Sequence, residues 1–158
     1  MPQPFDPALL LDAPLMAILG TLSPDGPRTA PVWFLWEDGA LWMLGDDRSA
    51  SVRRLSADPR CTVEITEFDA GAGVLRHLGL RGRAEVLPMD PALFRRLLAK
   101  YLGPDPATWN AWFIDTVARP DDPSGRLIGL VPDSVFTNDV SYFRTGPART
   151  PRRSRSIV

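Results

Sequence analysis

Two Asp-Gly dipeptides, Asp25-Gly26 and Asp38-Gly39, cut the N-terminal part of the chain into apolar runs too short to be helices. Glycine at the second position accepts the positive φ that a tight hairpin demands, and Pro24 presets φ for the first turn. The runs around these turns, Leu15 to Leu22, Arg28 to Trp36 and Leu41 to Leu44, are therefore expected as three consecutive strands forming an antiparallel meander. Further strands are expected over Cys61 to Thr66 and over the long alternation from Val74 to Leu87, with Gly82 a bulge or a close backbone approach. Gly125 to Val131 and Val135 to Phe143 are expected to close the sheet.

Helix signals fall between these runs. Asp6 and Pro7 open a short helix through Leu9, Leu10 and Leu11, which Pro14 ends. Asp46 or Asp47 is expected to cap a second helix through Leu55, with Val52 and Leu55 facing the core, and Asp58-Pro59 stops it. Asp90-Pro91 opens a third with an apolar stripe of Leu93, Phe94, Leu97, Leu98 and Tyr101. Trp109, Trp112, Phe113 and Val117 suggest one more short helix. Strands broken by glycine and proline, with helices between the hairpins, indicate an α+β domain on a small antiparallel barrel. No G-x-G-x-x-G, phosphate-binding P-loop or regular βαβ alternation is present, so a nucleotide-binding α/β fold is disfavoured.

Composition narrows the chemistry. The 158 residues suit one domain, 44% of them hydrophobic and 23% charged, and a net charge of -1 supplies no overall field for nucleic acid. Cys61 and His77 are the single cysteine and histidine, so zinc clusters and Ser-His-Asp triads are poorly supplied. Cys61 sits in an apolar alternation and is expected in the core, and His77 as a surface or satisfied polar residue. The longest apolar stretch, from Pro14 to Leu22, is about half a membrane span, and no basic region precedes an apolar run at the start; the expected location is the cytoplasm. Residues 1–143 are read as the domain and 144–158 as a basic tail with Arg144, Arg149, Arg152, Arg153 and Arg155.

The block from Ala17 to Arg60 carries an ordered set of motifs: Thr21-Leu22 with Asp25-Gly26, Pro31-Val32-Trp33-Phe34, Asp38-Gly39 with Leu41, and Leu55 with Asp58-Pro59-Arg60. With the later run Leu80 to Val86, it resembles the split β-barrels related to pyridoxamine phosphate oxidase. The resemblance implies an antiparallel split β-barrel with short helices inserted between hairpins, acting as a homodimer. It further implies an oxidoreductase using FMN, or alternatively the deazaflavin F420, on a small organic substrate. A non-enzymatic cofactor-binding barrel is the rival.

By the same resemblance, the isoalloxazine ring lies along the backbone of Pro31, Val32, Trp33 and Phe34, and the phosphate near the helix after Leu44. Arg48, Ser49, Ser51 and Arg53 are the candidates there. A helix start offers free N–H groups to an anion, and Arg53 lies on nearly the same face as Ser49. Ser51 stands where many relatives carry a lysine, and Asp46 and Asp47 bring negative charge close by; Arg48, Arg53 or Arg28 would supply the compensating positive charge for the phosphate.

Overall fold

The computed structural model describes residues 3–117 and 123–146. Seven strands form one antiparallel sheet: β1 (Ala17–Ser23), β2 (Gly26–Val32), β3 (Phe34–Glu37), β4 (Ala40–Asp46), β5 (Arg60–Asp69), β6 (Val74–Pro88) and β7 (Gly125–Asp139). Their order across the sheet is β2-β1-β5-β6-β7-β4-β3.

That order corrects the expected meander. The apolar run Arg28 to Trp36 is two strands, broken at Trp33, and β2 and β3 occupy opposite ends of the sheet. Val32 and Phe34 are two residues apart, so the chain holds the two edges within about 7 Å of each other. The sheet must therefore roll into a barrel whose seam is Trp33. Alternating hydrophobicity could not reveal the break, because the run from Ala30 to Trp36 is apolar without interruption across it.

The two expected closing strands are one, β7, paired along β6 over most of its length. Arg81 pairs with Ser134 and Gly82 with Pro132, leaving Asp133 as the extra residue of a bulge. Gly82 is the close approach expected of it: an added Cβ would lie 2.9 Å from Leu130 Cδ1 and 3.1 Å from the Val131 carbonyl oxygen.

Inside the barrel, Leu19, Phe34, Leu41, Met43, Ile65, Leu78, Leu80, Ile128 and Leu130 are almost wholly buried, each contributing on the order of 1.5 to 3 kcal/mol of transfer free energy. Cys61 is buried with them, and burial pushes its thiol up to about 11, which fits a packing role.

The helices are α1 (Ala8–Leu11), α2 (Ala50–Ala57), α3 (Pro91–Leu102) and α4 (Ala111–Val117). The Asp6 carboxylate accepts the Ala8 N–H at 2.9 Å. The second helix is capped by Ser49, whose Oγ accepts the Val52 N–H at 3.3 Å, rather than by Asp46 or Asp47. In α3, Asp90 accepts from Ala92 and Leu93, Pro91 takes the first turn, and Gly103 ends the helix at φ 98. Its stripe buries Leu93, Phe94, Leu97 and Leu98, and Phe94 and Leu98 form a second cluster with Trp109 against Trp33, Leu44 and Phe113. Of the expected basic tail, Arg144 lies in a 3-10 turn (Ser141–Arg144) and donates to the Gly71 carbonyl at 2.8 Å, while residues 147–158 lie outside the described residues. Among the described residues no helix is long and apolar enough to cross a membrane.

Candidate functional site

The segment Pro31 to Phe34 spans the seam and divides by role. Pro31 is exposed and Val32 half-buried at the end of the edge strand β2. Trp33 turns its ring into the second cluster, stacked on Tyr101 at 4.5 Å and 6° and on Phe113 at 5.6 Å. Phe34 is fully buried, and the Tyr101 hydroxyl takes its backbone: the Phe34 N–H donates to that oxygen at 3.1 Å. The same hydroxyl donates to the Leu15 carbonyl at 2.8 Å. Pro31 and Val32 thus remain nearest to solvent, while Trp33 and Phe34 serve as anchors.

At the start of α2 the charges answer one another. Arg48 Nε donates to Asp46 Oδ1 at 3.1 Å, and Arg53 Nη1 donates to the Arg48 carbonyl at 2.9 Å. The Arg126 guanidinium meets Asp47 at 2.8 Å, and Ser124 donates to Asp46 at 3.0 Å. The hydrogen bonds from Arg48 and Ser124 hold the Asp46 carboxyl down at about 2. Ser49 is occupied as the cap, and Ser51 is half-buried on the first turn. Arg54 turns toward the barrel, where its Nε donates to the buried Thr21 hydroxyl at 2.8 Å. The Arg48 to Arg53 group and the Pro31 to Phe34 segment sit on different elements, and the hydrogen bonds of Ser49 and Arg53 stay within their own helix start.

A cleft of about 540 Å³ opens on the outer face of the sheet. Its floor is built by register: Thr29, Gly20, Thr62 and Arg81 lie in one row across β2, β1, β5 and β6. Gly20 keeps this floor low, since an added Cβ would meet the Thr62 hydroxyl at 2.5 Å. Arg28, Arg60, Arg81 and Arg83 line the cleft against one carboxylate, Asp133, which the bulge presents. Arg60 is held to Asp58 at 2.6 Å, and Arg28 stands 4.0 Å from Asp25. Guanidinium groups gathered on a low-polarity surface bind phosphate or carboxylate bidentately.

Of these four arginines only Arg28 was singled out by sequence reasoning as a phosphate contact. The signal for the others was the alternation Arg81-Gly82-Arg83, which puts two guanidinium groups on one strand face, and the outward parity of Arg60. His77 is satisfied, its Nδ1 lying 2.9 Å from Glu64 Oε1.

A single antiparallel sheet rolled on itself, with helices between its hairpins, defines a split β-barrel. The chain belongs to the pyridoxamine 5'-phosphate oxidase family, whose sequence model matches residues 8–139.

Solved structures of the same shape include the conserved hypothetical protein Rv2991 from Mycobacterium tuberculosis, at 21% identity and a TM-score of 0.67, over 90% of this chain and 88% of that one. An F420 reductase aligns at 26% identity and a TM-score of 0.64, over 85% of this chain and 98% of its own. A FAD-binding protein from Mesorhizobium loti aligns at 17% identity and a TM-score of 0.56, over 84% and 91%. Among curated proteins, none matches the chain significantly.

Proposed function

We propose that this protein is a homodimeric, FMN- or F420-dependent oxidoreductase acting on a small organic substrate. The observation that carries this reading is the arginine cleft on the outer face, beside the edge strand that leads to Pro31 and Val32. Its volume and its four guanidinium groups fit the phosphate-bearing part of such a cofactor. The membership of the family and the likeness to an F420 reductase support the same class of cofactor.

In this reading the backbone of Pro31 and Val32 borders the ring, Trp33 and Phe34 hold that strand end in place, and Arg28, Arg60 and Arg83 hold the phosphate. Once bound, the flavin or deazaflavin supplies hydride transfer; the chain's own residues bind, orient and shield it. The start of α2 is the rival phosphate site, with Arg48, Ser49, Ser51 and Arg53 as its contacts. Both sites hold an arginine against an aspartate, Arg48 on Asp46 and Arg60 on Asp58; the cleft is preferred because it adds Arg81 and Arg83 on one strand face.

The outer face also exposes Ile18 and Val131, apolar surface suited to a second subunit.

Absorption spectroscopy of the purified protein, followed by titration with FMN, F420 and riboflavin, tests the reading. Arg28→Ala and Arg83→Ala are each expected to weaken FMN by about 1.5 to 3 kcal/mol, the scale of a hydrogen bond to a charged group, and to leave riboflavin unchanged. Ser51→Lys is expected to leave both unchanged. Tighter FMN binding by Ser51→Lys would move the phosphate to α2, and failure of wild type to bind FMN or F420 at micromolar concentration would discard the oxidoreductase. Sedimentation of the cofactor-bound form as a monomer would remove the dimer.

A further inference from the structure

The outer face carries a second recess, contiguous with the arginine cleft through Thr62 and Arg81. On β6 the outward residues run His77, Gly79, Arg81. Because Gly79 has no side chain, it leaves a notch between an imidazole and a guanidinium. Across the ladders Gly79 pairs with Glu64 on β5 and with Phe136 on β7, which wall the other two sides. The row beyond reads Thr62, Arg81, Ser134, so a hydroxyl-bearing residue flanks the guanidinium on either side. These residues line a space of about 470 Å³.

Each wall offers a different chemistry. Arg81, with the Thr62 and Ser134 hydroxyls beside it, suits a carboxylate. The Phe136 ring is 45% exposed and stands 5.5 Å from the His77 ring, so it presents an aromatic surface beside the glycine position, which Glu64 Oε2 borders at 3.5 Å from where a Cβ would stand. At the far end Glu64 pairs with His77 Nδ1 at 2.9 Å, which leaves Nε2 as the ring nitrogen for a polar group of a ligand. The Cα atoms of His77 and Arg81, four residues apart on one strand, are about 13 Å from each other. Once both side chains lean inward, a single six-membered ring with one substituent at each end fills that span.

We infer that this notch binds small planar aromatic acids, the carboxylate on Arg81, the ring over Gly79 against Phe136, and a hydroxyl or amino group on His77. The inference names a substrate class for the oxidoreductase proposed above and rests on that reading for turnover only; binding stands by itself.

His77 is the only histidine, so its imidazole resonances report the notch without ambiguity. In NMR titrations of the full-length protein, 4-hydroxybenzoate is expected to shift them saturably at millimolar concentration. 4-Hydroxybenzamide, which keeps the ring and hydroxyl but not the charge, is expected to bind about tenfold more weakly, the loss of one charge-assisted contact. Arg81→Ala is expected to abolish the difference between acid and amide.

Gly79→Val fills the notch and is expected to abolish both shifts, with an unchanged circular dichroism spectrum and unchanged FMN titration. Equal binding of acid and amide by wild type, undiminished binding by Gly79→Val, or no shift at all overturns the inference. Retained 4-hydroxybenzoate binding by a protein that takes up neither FMN nor F420 would sink the cofactor reading and leave this one standing.

Discussion

The Tyr101 hydroxyl is the hydrogen-bond partner of the Phe34 backbone: the Phe34 N–H donates to it at 3.1 Å, at the point where β2 gives way to β3. That oxygen also donates to the Leu15 carbonyl, so one phenol ties the seam to the residue that leads into β1. Tyr101→Phe keeps the stacking on Trp33 and removes only the hydroxyl. It strands a part-buried N–H and carbonyl, and is expected to cost about 1 to 3 kcal/mol in chemical denaturation. A stability equal to wild type would show that the seam is held by packing alone.

Beside it, Lys100 gives a pH signature. Its Nζ donates to the Leu11 carbonyl at 2.7 Å and lies 3.5 Å from the centre of the Phe34 ring, and burial pushes its pKa down from 10.5 to about 8. Between these values the unfolded chain binds more protons than the native one, so this group's contribution to stability is complete above 10.5 and is lost as pH falls through about 8. Cys61 and Tyr101, both shifted upward, work in the opposite direction at high pH. A comparison with Lys100→Met isolates the lysine: the stability of wild type relative to the variant is expected to rise from pH 8 to 10.5. A pH-independent difference would remove the titration.

The acid limb belongs to other groups. Asp139 accepts from the Ser141 N–H at 2.9 Å and meets Arg76 at 2.9 Å, and its carboxyl is held at about 2 first by the Ser141 side chain, then by Arg76 and by the Ser141 N–H. Stabilisation from a lowered carboxyl is full above its unfolded value of 3.8 and is lost as pH falls toward 2. Asp139→Asn is expected to flatten the loss of stability in that window, measured by denaturation at pH 4, 3 and 2. Asp46 and Asp58, held low by Arg48 and Arg60, keep part of the slope.

Gly82 links sheet geometry to the cleft. Gly82→Ala places a methyl group against Leu130 and the Val131 carbonyl, and backbone does not yield as a side-chain tip does. A destabilisation of about 1 to 3 kcal/mol is expected, with weaker FMN binding because Arg81, Arg83 and Asp133 flank the bulge. Calorimetry and titration on one preparation check both; a destabilised variant with wild-type FMN affinity would separate the bulge from the cleft.

What the sequence disclosed follows from which interactions are local. The α3 helix was legible because Asp90, Pro91 and the leucine stripe act within a few residues of one another. Gly82 was legible because glycine interrupts an otherwise regular alternation. Trp33 was not, since a change of strand inside an apolar run leaves no polar mark. The capping of α2 by Ser49 rather than Asp46 or Asp47 turned on which side chain found a competing partner, and Asp46 found Arg48 and Ser124. The arginine cleft was the least visible feature: Arg60, Arg81 and Arg83 come from β5 and β6 and share a face only through the register of the finished sheet, while Arg28, paired with the buried Thr21, reaches the cleft from the edge strand β2.

The two prolines of β2 bear on how copies of this chain can meet. Pro27 and Pro31 pair with Leu22 and Ile18 on β1, and neither has an N–H to offer outward. At the other end of the sheet β3 is only four residues long. An incoming strand would find too few donors on the first border and too little length on the second to extend the ladder. Ribbon-like growth by strand addition is thereby disfavoured at both borders of the sheet.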